Sequence, residues 1–405
     1  MSHYDTLETR SPEARADELA KALPEQIGRA QGLPGYAGGL SAIDASTITD
    51  AASLAKLPVL RKSHLAEAQK TQEFGGFAGA ATTFDQVFQS PGPIYEPGNT
   101  SADWWRFGRF LHACGIGQGD IVQNCFSYHF TPAGLMFENG ARAVGATVFP
   151  AGIGQTEAQA RAAAEIGCTA YAGTPDFLKH IIEMMEAEKL PIFFKKAAVS
   201  GGALFPSLRD WYTERGITCL QAYGTADLGN IAYETTLGGG MIVEEGVVVE
   251  IVTPGTGDPV PAGEVGEVVV TTLNPDYPLI RFATGDMSAV MAGQSPCGRT
   301  NMRIKGWMGR ADQTTKIKGM FVRPEQVAEL VAKLGVDRAR VIADRDGEND
   351  TMVVQVEATA DPAAGEAMED TVREVLKLRG RVEVHGPGDL PRDGLVIEDR
   401  RTYET

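Results

Sequence analysis

The chain has 405 residues, 43% of them hydrophobic, and a formal charge of −16 from 53 acidic against 37 basic side chains. Long-range repulsion at that charge opposes nucleic acids and anionic membranes, and no basic run offsets it, so small molecules are the expected ligands. The opening MSHYDTLETRSPEARADELAK is charged throughout, and no uncharged apolar run reaches membrane-spanning length, which predicts a soluble, cytoplasmic protein with no membrane partner.

Residues 1 to about 80 read as a helical, loop-rich opening, with apolar residues at helical spacing over Asp5 to Ala22 and Thr49 to Leu57. From Thr100 the pattern alternates. SADWWRFGRFLHACG reads as a helix capped by Ser101 or Asp103, DIVQNCFS as a strand, AGLMFENGARAVG as a helix and ATVFPAG as a strand. The same alternation continues through TEAQARAAAEIG, CTAYAG, PDFLKHIIEMMEAEK, KKAAVSGG and SLRDWYTERG. Largely apolar strands separated by helices predict a mostly parallel sheet covered by helices.

Between Ala222 and Met302 the helices give way to short strands with Gly and Pro turns, an antiparallel β region. After about Gly309 the helices PEQVAELVAKLG and GEAMEDTVREVLKLRG and the strands RVIADR, TMVVQVEAT and VEVHG make a separate α+β module. The expected fold is therefore α/β: a large N-terminal domain over 1–309, with a mostly parallel sheet plus an antiparallel β region, and a small, mobile α+β domain over 310–405. The five cysteines, Cys114, Cys125, Cys168, Cys219 and Cys297, are scattered and never form C-x-x-C, which suggests neither a disulfide framework nor a zinc knuckle.

Four stretches carry the chemistry: SGGALF (Ser200 to Phe205), QAYGTADLG (Gln221 to Gly229), YPLIRFATGD (Tyr277 to Asp286) and GRADQTTKIKGMFVRPEQVAELV (Gly309 to Val331). In that order they resemble the phenylacetate-CoA ligase family of the adenylate-forming enzymes, a likeness that reaches over most of the chain from Thr100. The resemblance implies ATP and AMP, coenzyme A and a carboxylic acid, with an aryl acid expected. ATP would turn the acid into an acyl-adenylate, and CoA thiolate would then displace AMP. It also leaves open a magnesium ion and a homodimer.

Residue by residue, Gly201, Gly202 and Ala203 follow a strand, where side-chain-free backbone lets a flat ring approach; a tight strand-to-helix turn is the alternative. The resemblance lays this segment along adenine, stacks Tyr223 of Tyr223-Gly224 on the ring, and puts Asp227 where a longer Glu would approach magnesium and phosphate. Ala226 stands where the family has a hydroxyl. Asp286 offers two acceptor oxygens to two ribose hydroxyls, Arg310 resembles the arginine that also reaches the ribose, and Asp312 resembles the hinge of the small domain. Arg281 reads as a structural anchor.

Two elements depart from the family. Its phosphate loop, approximately Ser-Ser-Gly-Thr-Thr-Gly-Lys-Pro, aligns on Ser90-Pro91-Gly92-Pro93-Ile94-Tyr95-Glu96-Pro97. Pro91 and Pro93 each delete an N–H donor, and Glu96 is expected to add a charge beside the polyphosphate at a cost of about 1 kcal/mol; Ser90 and Gly92 remain as contributors. At the C-terminus Leu395 occupies the position of the family's catalytic lysine, with Arg392, Lys316 or Lys318 as electrostatic substitutes. Cys297 stands alone where some relatives hold zinc, and Ser295 takes a partner's place, so no structural zinc is expected. His129, in SYHFTPAG, is the candidate base for an alternative chemistry without ATP, such as thioester hydrolysis, elimination or decarboxylation on a bound acyl-CoA or adenine nucleotide; a catalytically inactive binder is a further alternative. Tyr128, Phe130, Gly152 and Gly154 are expected to shape the acyl pocket.

Overall fold

The computed structural model describes residues 2–91, 93–311, 313, 315–318, 320–346, 349–359 and 365–401. The chain divides into two compact units: the first is Met1–Val249, Val270–Thr284 and Met291–Trp307, the second Glu250–Val269, Gly285–Val290 and Met308–Thr405.

In the first unit come helix α1 (Pro12–Gln31), α2 (Ala51–Leu54), strand β1 (Leu60–Arg61) and α3 (Lys62–Ala68), then the strands β2 (Gln86–Ser90) and β3 (Ile94–Gly98) and helix α4 (Gly108–Ala113). The alternating stretch follows as β4 (Ile121–Asn124), α5 (Ala133–Ala143), β5 (Thr147–Phe149), α6 (Thr156–Ile166), β6 (Ala170–Gly173), α7 (Pro175–Glu188), β7 (Lys196–Val199) and α8 (Pro206–Glu214). After it come β8 (Thr218–Thr225), β9 (Gly229–Tyr233) and β10 (Met241–Val243). Strands β11 (Val247–Val252), β12 (Val265–Thr272) and β13 (Phe282–Met291) run from one unit into the other, and β14 (Arg303–Ile304) returns to the first. The second unit adds β15 (Thr315–Ile317), β16 (Met320–Val322), α9 (Pro324–Leu334), β17 (Arg338–Asp346), β18 (Asn349–Glu357), α10 (Gly365–Leu376), β19 (Arg381–His385) and β20 (Ile397–Asp399).

The first unit's strands lie in the order β14-β10-β9-β8-β7-β6-β4-β5. Pairing is parallel from β5 through β8, then antiparallel from β8 through β9, β10 and β14. The parallel part is apolar on both faces. One core gathers Phe107, Phe110, Phe126, Phe137 and Leu220; the other gathers Tyr171, Leu178, Ile182, Phe194 and Tyr212. In the second unit β19-β18-β17-β20 form a sheet whose core holds Val341, Val354, Leu330 and Leu376. Strand β20 lies beyond the last expected strand and pairs in parallel with β17.

Several local expectations change. The expected Asp5 to Ala22 helix is two elements: Asp5 caps a short 3₁₀ turn, and Ser11 with Pro12 starts α1, which runs on to Gln31. A serine N-cap followed by proline is a helix start, and it interrupts the longer periodicity. The Thr49 to Leu57 helix shrinks to α2, held by a capping box between Asp50 and Ser53. The helix expected from Ser101 begins only at Gly108, because Asp103 and Arg106 adopt φ of 53° and 63°. There Asp103 accepts from the Gly108 N–H at 2.8 Å, and Arg106 donates to the Leu228 carbonyl.

A buried ion pair fastens the chain's beginning to the antiparallel region. Arg299 donates to Glu8, both side chains are 1% exposed, and the Tyr233 hydroxyl donates to the same carboxylate at 2.9 Å. Cys297, beside it, lies 3.0 Å from the Ser295 hydroxyl and 3.5 Å from an Arg299 nitrogen. Removing one partner of such a pair leaves an uncompensated buried charge. Glu8→Ala is expected to lower the unfolding free energy by about 3 kcal/mol in urea titrations, whereas Glu18→Ala, at a carboxylate whose side chain is 58% exposed, is expected to change it by under about 1 kcal/mol.

Candidate functional site

The parallel strands end in a row of turns. A cavity of about 530 Å³ is lined by Cys125, Phe126 and Ser127 after β4, Thr174 and Phe177 after β6, Gly201 after β7, and by Ile153 and Gly154. Open α/β sheets place ligands at the carboxyl ends of their strands, and this cavity is at those ends. Gly201 has φ of +71°, a conformation side chains disfavour. The turn after it is held by Gln221, whose side chain donates to the Gly202 carbonyl at 2.9 Å and accepts from the Leu204 N–H at 3.3 Å on either side of Ala203. Gln159 donates to the carbonyls of Gly152 and Gly154 at 2.7 and 3.1 Å, fixing the opposite wall.

The four aromatic and glycine residues expected to shape the acyl pocket divide. Gly154 lines the cavity and Gly152 lies two residues before it. The Tyr128 hydroxyl accepts from Asn124 at 2.8 Å, and burial together with nearby Glu138 raises its pKa. Phe130 is exposed with φ of 62°, its carbonyl accepting from the Gln89 N–H of β2 at 2.9 Å. His129 is exposed in the same loop.

The stretch aligned with a phosphate loop is a β-hairpin: β2 pairs antiparallel with β3 from Gln86↔Gly98 to Ser90↔Ile94. Gly92 lies outside the described residues. The expectation that Glu96 adds a negative charge beside the polyphosphate is corrected: its side chain is buried, and the Ser90 hydroxyl donates to it. Burial first, and Asp227 next, push its carboxyl up to about 8, so Glu96 carries a proton at neutral pH. Its inward orientation follows from strand alternation, since Tyr95, next to it, is exposed.

Asp227 is also buried, and its Oδ2 accepts from Lys62 Nζ at 2.9 Å, while its Oδ1 has no hydrogen-bond partner. Tyr223, on β8 just before an irregular register with β9, donates its hydroxyl to Thr284 at 3.0 Å. A Cβ on Gly224 would meet the Gly229 carbonyl at 2.6 Å, so no side chain fits at that position. Lys62 carried no signal in the local sequence. Parallel pairing of β1 with β13, Leu60↔Phe282 and Arg61↔Ala283, fixes the chain immediately before Lys62, the first residue of α3.

In the second unit Arg310 donates to Asp286 at 2.8 Å. Gly285 has φ of +73°, a conformation side chains disfavour, and a Cβ there would lie 2.7 Å from an Arg310 nitrogen. Arg392 stands 3.9 Å from Glu264 and 3.7 Å from Glu357, and Leu395 accepts through its carbonyl from Arg340 at 3.1 Å. Asp312 lies outside the described residues. Among the described residues no group of three or more His, Cys, Asp or Glu side chains is arranged to hold a metal, and no helix is long and apolar enough to cross a membrane.

The family model described as "AMP-binding enzyme" matches residues 100–274. The phenylacetate-coenzyme A ligase of Thermus thermophilus is 28% identical over 327 residues, 76% of this chain and 72% of that one. That of Aromatoleum evansii is 29% identical over 332 residues, 78% and 74%. That of Escherichia coli is 31% identical over 261 residues, 62% and 59%. Over about three quarters of its length the chain is similar to phenylacetate-CoA ligases of the adenylate-forming enzymes. A crystal structure of 2-hydroxyisobutyryl-CoA ligase in the postadenylation state, in complex with R3-HIB-AMP, superposes with a TM-score of 0.71 at 23% identity, covering 97% of this chain and 91% of that one. An open conformation of the same ligase with 2-HIB-AMP and CoA gives 0.72 at 22% identity, covering 98% and 96%. These two likenesses establish the fold.

The hairpin acid has a measurable consequence. The folded Glu96 carboxyl titrates near 8 and its unfolded counterpart at 4.5, so between those values the folded chain binds more protons than the unfolded one. Its contribution to stability is full below about 4.5 and is lost as pH rises through about 8. Chemical denaturation of the wild type and Glu96→Gln from pH 5 to 9 is expected to show the wild type losing stability relative to the variant as pH rises.

Proposed function

We propose that the protein is an AMP-forming acid-CoA ligase acting on an aryl carboxylic acid. A carboxylate oxygen of the acid attacks the α-phosphorus of ATP, the bond to the β-phosphate oxygen breaks, and pyrophosphate leaves. The sulfur of CoA then attacks the acyl carbon, the carbon–oxygen bond to AMP breaks, and the thiol proton is given up. What carries the reading is the cavity at the ends of β4, β6 and β7, with Gly201 on one wall and Gly154 on another. Its volume of about 530 Å³ and its phenylalanines suit an aryl acid beside a nucleoside.

In this reading adenine lies along Gly201, Gly202 and Ala203 and against Tyr223 and Gly224; Asp286 and Arg310 meet the ribose; Tyr128, Phe130, Gly152 and Gly154 enclose the acyl group; and Asp312 is the hinge. ATP, CoA and the acid are the small-molecule partners. Magnesium arriving with ATP would find one unpartnered carboxylate oxygen, Asp227 Oδ1, which fits an ion that keeps most of its water and is held chiefly by phosphates.

The hairpin supports a second reading. Ser90 is spent on Glu96, and the prolines at 91 and 93 donate no N–H, so these residues offer a polyphosphate few donors. In that reading His129 serves as base on a bound acyl-CoA without ATP.

Incubation of the pure protein with ATP, magnesium and a panel of aryl acids separates the two. Pyrophosphate release with at least one acid is expected; no release with any acid, together with ATP-independent consumption of acyl-CoA that His129→Ala abolishes, would replace the first reading by the second. Ala133 lines the cavity, and Ala133→Phe is expected to raise the KM for an aryl acid roughly tenfold or more by filling it, with AMP affinity nearly unchanged by calorimetry.

A further inference from the structure

The wall that Gly154 contributes to the cavity is held by one buried side chain. Gln159, in the first turn of α6, is 5% exposed. Its Nε2 donates to the Gly152 and Gly154 carbonyls at 2.7 and 3.1 Å, and its Oε1 accepts from Gln123 Nε2 at 2.6 Å and from the Cys125 thiol at 3.0 Å. A primary amide has two N–H donors and one oxygen with two lone pairs, so none of its bonding capacity is left over. Burial holds the Cys125 thiol well above the usual range, so it keeps the S–H that it donates.

The two ends of this amide serve different walls. Gln123 is on β4 and Cys125 just after it, and Cys125 lines the cavity; Gly152 and Gly154 flank Ile153, which lines it from the segment between β5 and α6. That segment passes through left-handed backbone at Gly152, Gly154 and Gln155, with φ of 70°, 75° and 51°. The Gly152 N–H also donates to the Asn124 carbonyl at 3.0 Å, again at the end of β4. Ile153 itself is 63% exposed, so packing does little to fix it; the hydrogen bonds to its two neighbours do. Gln159 is thus the side chain that ties the turn presenting Ile153 to the strand end presenting Cys125.

We propose that Gln159 is a positioning residue that sets acid specificity: by fixing the separation of Ile153 from Cys125 it fixes the width of acyl group the cavity admits. This rests on the ligase reading for its substrate and for the place of the acyl group. Gln159 is not among the residues lining the cavity, and it acts through Ile153. A fully satisfied buried amide rigidifies what it joins, and a wall that does not give is what disfavours an acid one methyl group too large, a difference worth roughly tenfold or more in an apolar pocket.

Pyrophosphate release by the full chain, with the best acid of an aryl panel and with the same acid carrying one added ring methyl, tests this. The wild type is expected to favour the parent acid in kcat/KM by roughly tenfold or more. In Gln159→Met, which keeps the length of the side chain and loses the hydrogen bonds of the amide, that preference is expected to disappear through KM, with AMP affinity by calorimetry unchanged. Gln159→Glu keeps the acceptor and exchanges the donating nitrogen for a second oxygen; it is expected to show the same loss and carries the test if Gln159→Met does not fold. Ile153→Ala is expected to lose the preference too, and adding Gln159→Met to it to change the preference no further, because the two act at one place. A merely structural glutamine would slow both acids equally and leave their ratio intact. Retention of the preference in Ile153→Ala or in a Gln159 variant that still binds AMP, or a wild type that takes both acids equally, overturns this inference and leaves the ligase reading standing; no pyrophosphate from the wild type with any acid overturns both.

Discussion

The contact between Lys62 and the buried carboxylate of Asp227 is the constraint on which the site depends. An ionised aspartate inside a protein is costly unless paired, and the effective penalty is several kcal/mol. Here the partner comes from a residue 165 positions away in sequence. Forming that pair requires β1 to add to β13, which in turn requires the chain after α2 to reach the sheet. The Arg281 guanidinium reinforces that path by donating to the Ala55 carbonyl at 3.1 Å and to that of Leu57. The residue read from sequence as a structural anchor thus holds the segment that delivers Lys62.

Around that pair the hairpin settles its own electrostatics by holding a proton. Two buried carboxyls with one ammonium would leave a net negative charge in a low-dielectric place, and Glu96 avoids this by staying protonated. Its hydrogen bond from Ser90 closes the hairpin from inside, while Tyr95 faces out and donates from its backbone N–H to Gln69 at 2.7 Å. A flexible loop wraps phosphates with free donors; a zipped hairpin has already used its own.

Much of the architecture was readable because it is written in local periodicity. The helices and strands from β4 to α8 follow apolar runs separated by Gly and polar caps, and the motif around Tyr223 marked the strand on which that residue lies. The ends of those strands, including Gly201 and the Gly152 to Gly154 turn, followed from the same alternation. What escaped depends on contacts far apart in sequence. Asp103 and Arg106 have a helix-compatible neighbourhood yet take left-handed φ, because Gly108 and Leu228 supply their partners. Glu96 was misjudged because only strand register decides whether a hairpin side chain faces water or the interior. Lys62 was invisible because nothing within ten residues of it indicates β13. The bond between Arg299 and Glu8 spans 291 positions and has no local signature at all.

The most direct measurement is a crystal structure of the chain with AMP bound. A nucleoside against Gly201 and Tyr223, with the hairpin still zipped, is the predicted result. A phosphate wrapped by an opened Ser90 to Glu96 segment, or a nucleotide bound away from the strand ends, would contradict it.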